Sequence, residues 1–224
     1  MADALDHVVA LGLAPATVID VGVASGTPAL YRSFPQARHL LVEPLKEFEE
    51  QLQAICKAYK AEYVLAAAGA HPCEMEINVS SVLDGSSLLG PKETARRIPV
   101  VTLDDTCRER GLPGPYVVKV DVQGAELQVL DGARAILQDT ALVILEVSFF
   151  RFTDGCPQFH DVIDYMKKQG FVAYEMFDGH NRPLDGARAQ VDVAFVKENG
   201  RFRATHAWAT PEQTAEWRRL TEHG

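Results

Sequence analysis

The chain has 224 residues, of which 47% are hydrophobic and 24% are charged, and its formal net charge is -9. This length and composition predict a globular protein of one large domain, or of one domain with extensions, around a sizeable core. The acidic balance argues against a nucleic-acid partner, which requires a basic face. The sequence contains no signal-peptide pattern and no apolar run long enough to cross a bilayer. We therefore expect a cytoplasmic protein with no membrane partner.

The cysteines are widely separated along the chain, and none of them belongs to a C-x-x-C pair. This spacing argues against a zinc site or a redox motif and predicts free thiols in a reducing compartment. The four cysteines are Cys56, Cys73, Cys107 and Cys156.

Short apolar runs alternate with segments of helical period, which is typical of an α/β domain. The predicted strands are Thr17–Val21, His39–Val42, Tyr63–Ala67, Glu74–Val79, Ile98–Val101, Tyr116–Val120, Ala141–Val147, Phe171–Phe177 and Val191–Val196. Helices are predicted after Gly26, over Lys46–Tyr59, Leu103–Arg110, Ala125–Leu137 with a break near Gly132, and Phe159–Gln169, with a last helix capped by Thr210. The predicted organisation is an N-terminal capping segment (1–16), a main domain (17–199) and a C-terminal tail with a helix (200–224).

The most informative motif lies at the end of the first predicted strand. Asp20 is followed by the glycine turn 22–26, and about twenty residues later the second strand ends at Glu43. Doubly wound α/β domains hold nucleosides in this way, since glycines let the backbone approach the ligand and the later acid accepts hydrogen bonds from ribose hydroxyls. The D-x-G-x-x-x-G spacing lacks the middle glycine of pyrophosphate sites and suits S-adenosylmethionine (SAM) better than a dinucleotide. The predicted SAM site comprises Asp20, Gly22, Val23, Ser25, Gly26, Glu43, Pro44 and Ala67.

Further carboxylates, Asp121 and Glu146, stand at or near the ends of later strands. The carboxyl ends of parallel strands form one edge of a sheet, where ligands bind. Lys119 and Asp121 alternate along one strand and therefore share a face, so both are candidate catalytic residues. Asp121 is the candidate base, and its alternative is an N-cap or turn position. Asp121 and Glu146 are candidate Mg²⁺ ligands if they converge, although the neutral Gln123 weakens that hypothesis, and Glu146 could instead pair with Lys119.

The order of these motifs resembles that of the FkbM-type methyltransferases. The matching pieces are Ile19–Gly22, Val42–Pro44, Val100–Asp105, Val118–Glu126 with Val129–Ala133, and Leu145–Val147. The resemblance implies a class I SAM-methyltransferase, Rossmann-like fold: a doubly wound, mostly parallel seven-stranded sheet with an antiparallel C-terminal strand. It also implies O-methylation of a hydroxyl on a small molecule, sugar or natural product. One departure is that the family usually has a glutamate where Gln123 stands.

Two other functions remain open from the sequence. One is methylation of nitrogen or of a carboxylate, which needs no strong base, and the other is a non-catalytic SAM- or nucleoside-binding protein. The expected acceptor is a small molecule or a glycan, selected by the Ser80–Arg97 loop and the Phe149–Cys156 segment. His180 is the histidine best placed to lie on the acceptor side. The Trp208–Trp217 tail could support a homodimer.

Overall fold

The computed structural model describes residues 1–78 and 95–221, and within these ranges it contains helices on both sides of a large sheet, together with a small second sheet. The helices are α1 (Ala2–Ala10), α2 (Pro28–Ser33), α3 (Glu49–Ala58), α4 (Leu103–Glu109), α5 (Glu126–Asp131), α6 (Arg134–Gln138), α7 (Phe159–Lys168) and α8 (Pro211–Thr221). The strands are β1 (Thr17–Val21), β2 (Arg38–Val42), β3 (Ala61–Val64), β4 (Ala67–Ala68), β5 (Cys73–Asn78), β6 (Ala95–Val101), β7 (Tyr116–Val120), β8 (Thr140–Ser148), β9 (Phe171–Asn181) and β10 (Arg188–Lys197).

The main sheet has seven strands in the order β3-β2-β1-β7-β8-β10-β9. The neighbouring pairs β3-β2, β2-β1, β1-β7 and β7-β8 are parallel, and β10 is antiparallel to both β8 and β9. This confirms the predicted mostly parallel seven-stranded sheet with an antiparallel C-terminal strand. The order reverses between β1 and β7, and ligands of open α/β sheets bind beyond the carboxyl ends of the strands at such a point.

The main sheet is covered by helices on both faces, which explains why its central strands are continuously apolar. Every residue of β1 and β7 is buried. One face packs against α4 to α7 through residues that include Leu103, Val129, Leu130, Val162 and Met166. The opposite face packs against α1, α2 and α3 through residues that include Leu5, Val8, Leu30, Tyr31 and Leu52. The sheet is therefore the middle layer of three.

The prediction of one strand over Tyr63–Ala67 is wrong. The chain leaves the main sheet after Val64, and Ala67–Ala68 pairs instead with β6 in a three-stranded sheet of order β4-β6-β5. This small sheet buries Ile77, Ile98 and Val100 against Leu45 and Phe48. Because Leu45 and Phe48 follow β2, the small sheet covers the region beyond the carboxyl end of that strand.

Most other boundaries agree with the sequence to within a few residues. The predicted helix over Lys46–Tyr59 begins as a 3-10 turn, Lys46–Phe48, before α3. The break near Gly132 is confirmed between α5 and α6; a side chain there would overlap the carbonyl oxygen of Gly69 on a crossing segment. Strands β9 and β10 extend beyond their predicted limits because they pair with each other. Most of the predicted Ser80–Arg97 loop lies outside the described residues, and its last residues, from Ala95, belong to β6 rather than to a loop.

The C-terminal tail contains its predicted helix, α8, and the N-terminal segment also forms a helix, α1. Helix α1 buries Leu5 and Val8 in the core, whereas α8 buries no residue. Thr210 caps α8, because its hydroxyl accepts a hydrogen bond from the Gln213 amide at 3.2 Å. The exposed rings of Trp208 and Trp217 contact each other edge to face, 5.4 Å between centroids. The domain limits and the homodimer stay predictions. None of the helices in the described ranges has the length and apolar composition needed to span a bilayer.

Candidate functional site

A cavity opens at the carboxyl end of the main sheet, at the point where the strand order reverses. It contains about 550 Å³ of space between protein atoms, part of which is open to solvent. Its walls come from the turn after β1, the segment after β2, the small sheet and the turn after β7. The lining residues include Gly22, Ala24, Glu43, Pro44, Leu45, Phe48, Ala67, Ile77, Asp121, Val122 and Gln123.

The glycine turn lets two strand ends approach each other closely. Gly22 has φ +76°, and a Cβ atom there would overlap the carbonyl oxygen of Asp121. The Gly22 amide donates to the Val42 carbonyl at 2.9 Å, which ties the turn to β2. Ala24 also has positive φ, +45°, which is uncommon for a residue with a side chain. Within this turn, the Ala24 amide donates to Glu43 at the cavity wall.

Glu43 is held by backbone donors on both oxygens. The Ala24 amide donates to Oε2 and the Leu45 amide donates to Oε1, each at 2.9 Å. The residue is only 4% exposed, yet it lines the cavity. Such charge-assisted bonds fix the position of a carboxylate. This acid is therefore preorganised at the cavity wall.

The structure brings together only part of the predicted SAM site. Gly22, Glu43, Pro44 and Ala67 line the cavity. The other four predicted residues are absent from the described lining: Asp20 is fully buried, Val23 packs in the core, Ser25 is exposed and Gly26 packs against Ile55 and Tyr31. Asp20 accepts a hydrogen bond from the Tyr31 hydroxyl at 2.6 Å, so it supports the base of the turn.

Lys119 and Asp121 share one face of β7 and its extension, as their alternation predicts. The Lys119 Nζ atom lies 3.3 Å from Asp121 Oδ2 and 3.8 Å from Asp20 Oδ1. Burial alone lowers the pKa of Lys119, but the carboxylates of Asp20, Asp121 and Asp192 outweigh it and raise that pKa above its ordinary value. Lys119 is therefore a buried cation beneath the cavity, whereas Asp121 lines the cavity.

Glu146 belongs to a cluster of side chains next to Asp121. The Gln123 Nε2 atom donates to Asp121 Oδ1 at 3.1 Å and to Glu146 Oε2 at 2.9 Å, and Gln190 Nε2 donates to Glu146 Oε2 at 2.6 Å. Burial, with the charges of Asp121 and Asp192, raises the pKa of Glu146 to about 8. The alternative ion pair between Glu146 and Lys119 is wrong, because Lys119 pairs with the two aspartates instead.

The residues around Asp121 and Glu146 do not fit a magnesium ion. The two carboxylates converge, but the Gln123 amide nitrogen lies between them and donates to both. An ionised carboxylate at Asp121 only accepts hydrogen bonds, so the amide nitrogen rather than the amide oxygen faces it. Mg²⁺ requires oxygen ligands at this position. Among residues 1–78 and 95–221, no group of three or more His, Cys, Asp or Glu side chains could hold a metal.

A second cavity adjoins the first and shares Gln123 with it. It contains about 750 Å³ of space, again partly open to solvent. Its lining residues include Ser148, Phe152, Thr153, Cys156, His180, Arg182, Pro183, Ala189 and Gln190. The Phe149–Cys156 segment and His180, which the sequence predicts on the acceptor side, both contribute residues to this second cavity. Most of the Ser80–Arg97 loop lies outside the described residues.

The charge of Arg182 in this second cavity is compensated locally. Its guanidinium donates to both carboxylate oxygens of Asp185, at 2.8 and 2.5 Å, and lies 3.8 Å from the centroid of the Phe150 ring. The other described lining groups are hydroxyls, amides, an imidazole, a thiol and apolar side chains. The cavity therefore offers hydroxyl and amide groups for hydrogen bonding, together with the half-exposed ring of Phe152.

Sequence reasoning missed two residues of this region, Gln190 and Asp192, and it predicted for Glu126 only a place in the first turn of a helix, which α5 confirms. Asp192 lies directly opposite Glu146 in the pairing of β8 with β10, and burial raises its pKa to about 6. Polar residues two apart in an otherwise apolar strand were the available signal for Gln190 and Asp192. Glu126 is buried and accepts from the amides of Val122 and Gly124, so it holds the turn that carries Gln123.

Comparison with known proteins gives a family match and several solved structures of similar fold. A methyltransferase FkbM from Methylobacillus flagellatus is 17% identical with a TM-score of 0.47, and the match covers 79% of this chain but only 43% of that protein. An N-methyltransferase from Bradyrhizobium japonicum is 10% identical with a TM-score of 0.49, covering 88% of this chain and 93% of that one. A magnesium protoporphyrin IX methyltransferase from Synechocystis, solved with bound SAM, is 12% identical with a TM-score of 0.46, covering 88% and 79%.

No curated protein matches the sequence at a significant level. The family model of the methyltransferase FkbM domain matches residues 20–173, which is more than half of the chain. This match includes the glycine turn, Glu43, the segment from Lys119 to Glu126, and Glu146. The chain therefore belongs to the FkbM family of SAM-dependent methyltransferases.

Proposed function

We propose that this protein transfers a methyl group from SAM to a hydroxyl group of a small molecule or a glycan. The observation that carries the proposal is the pair of adjoining cavities at the carboxyl edge of the sheet. One contains the glycine turn and Glu43, the other is lined by neutral polar groups, and Gln123, which is bonded to Asp121, belongs to both.

The first cavity suits SAM because its groups match the parts of that molecule. Glu43 accepts hydrogen bonds from the ribose hydroxyls, and its backbone donors keep the carboxylate in position to do so. Leu45, Phe48 and Ile77 supply apolar surface for the adenine ring. Gly22 lets the cofactor approach the backbone between β1 and β7.

Asp121 is the proposed base because it lines the SAM cavity next to the shared residue Gln123. As the acceptor oxygen forms its bond to the methyl carbon, the carbon–sulfur bond breaks and leaves its electron pair on sulfur. The hydroxyl proton passes to the Asp121 carboxylate. Alignment of the two reactants contributes about 7 kcal/mol or more in well-held pairs. A positioned base contributes about 10²–10⁴-fold.

The second cavity is the proposed acceptor site. Its hydroxyl and amide groups carry no charge, and the charge of Arg182 is paired with Asp185, so these groups favour an uncharged acceptor over an anionic one. The hydroxyl and amide groups of Ser148, Thr153 and Gln190 match the hydroxyls of a polyol or a sugar, and Phe152 offers an apolar face for a ring. The net charge of -9 disfavours a nucleic-acid acceptor.

The first experiment is calorimetric titration of the protein with SAM and with its demethylated product, S-adenosylhomocysteine. We expect micromolar binding that Glu43→Ala weakens by about tenfold or more, or about 1.4 kcal/mol. Glu47→Ala is the matched control, because it removes a nearby acid that pairs with Arg96 outside the cavity lining. Absence of binding by folded wild-type protein would contradict the proposal.

The second experiment screens acceptors by transfer of a labelled methyl group. Asp121→Asn is expected to retain SAM affinity and to lower kcat by about 10²-fold or more, because it removes the base. Full turnover by this variant would instead favour methylation of a nitrogen or a carboxylate, neither of which needs a strong base. SAM binding without turnover of any acceptor would favour a non-catalytic binding protein.

A further inference from the structure

We propose that the side-chain amide of Gln123 takes the position that a divalent cation would need between Asp121 and Glu146, so that this site positions its base without a metal ion. The proposal rests on the proposed function in that Asp121 is the base to be positioned. It assigns Gln123 as a positioning residue for Asp121.

The geometry of Gln123 is that of a bridge. Its Nε2 atom lies within hydrogen-bond distance of one oxygen on each carboxylate, 3.1 Å from Asp121 and 2.9 Å from Glu146. One NH₂ group can donate to both, since it carries two hydrogens. The bridge thus joins the end of β7 to β8 at the place where the two cavities meet.

The backbone of Gln123 is held in an unusual conformation at this position. Its φ is +55°, in the left-handed region, and Gly124 follows at φ +101°. Left-handed backbone at a non-glycine residue costs about 1 kcal/mol or more and persists where the surroundings impose it. The buried Glu126 carboxylate imposes it here, because it accepts from the amides of Val122 and Gly124 on either side of Gln123. The turn is therefore built to return this side chain toward the two acids.

Lys119 supplies the positive charge that a metal cation would bring to this site. Lys119 Nζ donates to Asp121 Oδ2, while Gln123 Nε2 donates to Asp121 Oδ1. Each oxygen of the proposed base therefore accepts a hydrogen bond from a side chain. Lys119 Nζ also lies 3.8 Å from Asp20 Oδ1, so its ammonium faces two carboxylates. A metal ion at this position would repel the Lys119 ammonium and would meet the hydrogens of the Gln123 amide.

Glu146 is likewise committed to hydrogen bonds with amides. Gln190 on β10 donates to the same oxygen as Gln123, at 2.6 Å. The groups that face Glu146 are Asp121, Asp192 and Glu126, and with burial they raise its pKa to about 8. A cation at this oxygen would therefore have to displace both amides.

The test is titration of the wild-type protein and of Gln123→Glu with Mn²⁺, followed by calorimetry and by the electron paramagnetic resonance of the free ion. Replacing the amide with a carboxylate supplies a third acid beside Asp121 and Glu146. We expect Gln123→Glu to bind Mn²⁺ about tenfold or more tightly than the wild type. The added substitution Glu146→Gln is expected to return the affinity to the wild-type level.

The matched control is Gln128→Glu, which adds the same charge at an exposed position of α5. The proposal is overturned if Gln123→Glu binds Mn²⁺ no better than this control. It is also overturned if the wild type binds Mn²⁺ at a site that Asp121→Asn or Glu146→Gln abolishes. This wild-type comparison does not depend on whether Gln123→Glu folds.

Chelation provides the functional arm of the test. We expect EDTA to leave SAM affinity, and turnover of any acceptor found, unchanged in the wild type. A loss of turnover on chelation that Mg²⁺ restores would overturn the proposal. Failure of SAM to bind would contradict the proposed function but leave the Mn²⁺ titrations interpretable, so the two failures are distinguishable.

Discussion

The two halves of the carboxyl edge of the sheet hold their acids in different ways. Beyond β1 and β2, Glu43 is held by the backbone amides of Ala24 and Leu45. At the ends of β7 and β8, Asp121 and Glu146 are held by side chains, namely Lys119 and two glutamine amides, and Asp192 on β10 lies opposite Glu146. The first half is built from main chain and the second from a side-chain network.

The difference determines how each half responds to mutation. Backbone donors survive the replacement of neighbouring side chains, so the Glu43 half depends on the conformation of its glycine turn. The network half depends on each member, since removing one partner leaves another buried group uncompensated. Variants in the two halves therefore separate backbone support from side-chain support, and the largest effect is expected where a buried charge loses its partner.

Lys119→Met is expected to lower the free energy of unfolding by about 3–5 kcal/mol, because Asp20 would lose its buried cation. Asp20 is completely buried, and the only described partner of its Oδ1 atom is Lys119 Nζ at 3.8 Å. Urea unfolding of both proteins measures the loss. The double variant Lys119→Met/Asp20→Asn should recover part of it, because the uncompensated charge is gone. A loss below about 1 kcal/mol in the single variant would show that the ion pair does not support the site.

Gly22→Ala tests the backbone half and is expected to cost about 2–4 kcal/mol, with loss of SAM binding. The methyl group would overlap the Asp121 carbonyl, and the backbone φ of +76° would also be strained. Gly186→Ala is the matched control, because Gly186 has φ +75° and nothing within 4 Å of the added atom. Urea unfolding measures the stability of both variants. If Gly22→Ala and Gly186→Ala lose equal stability, the backbone φ alone causes the loss, and the close approach of Gly22 to Asp121 does not contribute.

The same contrast explains how much the sequence could predict. Strands β1 and β7 were predicted to the residue, because strands buried on both faces are continuous apolar runs. The glycine turn and Glu43 were predictable because their spacing along the chain reflects the geometry of one strand-helix-strand unit. The residues that form the backbone half of the site therefore lie mostly close together in the sequence.

The side-chain half was less predictable because it depends on register between distant strands. Gln190 reaches Glu146 across 44 positions of sequence, and Asp192 faces Glu146 only through the pairing of β8 with β10. The inward orientation of Asp20, toward Tyr31 and Lys119, also follows from tertiary packing. The break between β3 and β4 was not predictable, because the residues between these strands, Leu65 and Ala66, include no glycine or proline.

The smallest predicted effect is the pH dependence of stability that Glu146 contributes. Its pKa is about 8 in the folded protein against an ordinary value of 4.5, so the folded state binds more protons than the unfolded state between these values. The free energy of unfolding should therefore fall as pH rises from about 4.5 to 8. Glu146→Gln removes this contribution, so its stability relative to wild type should rise between pH 5 and pH 8. The full shift corresponds to about 4 kcal/mol over this interval. Because Glu146 is partly exposed and solvent screens its charge, we expect about 1–2 kcal/mol.

Urea unfolding at the two pH values measures this difference. Glu198→Gln is a control of opposite sign, because its hydrogen bond with Lys167 lowers the pKa of Glu198, and that contribution to stability is lost as pH falls. Asp192 is present in both the wild type and Glu146→Gln, and its raised pKa of about 6 adds the same pH dependence of stability to each. Parallel curves for wild type and Glu146→Gln would mean that Glu146 stays ionised, and that the two glutamine amides stabilise its charge more than burial opposes it.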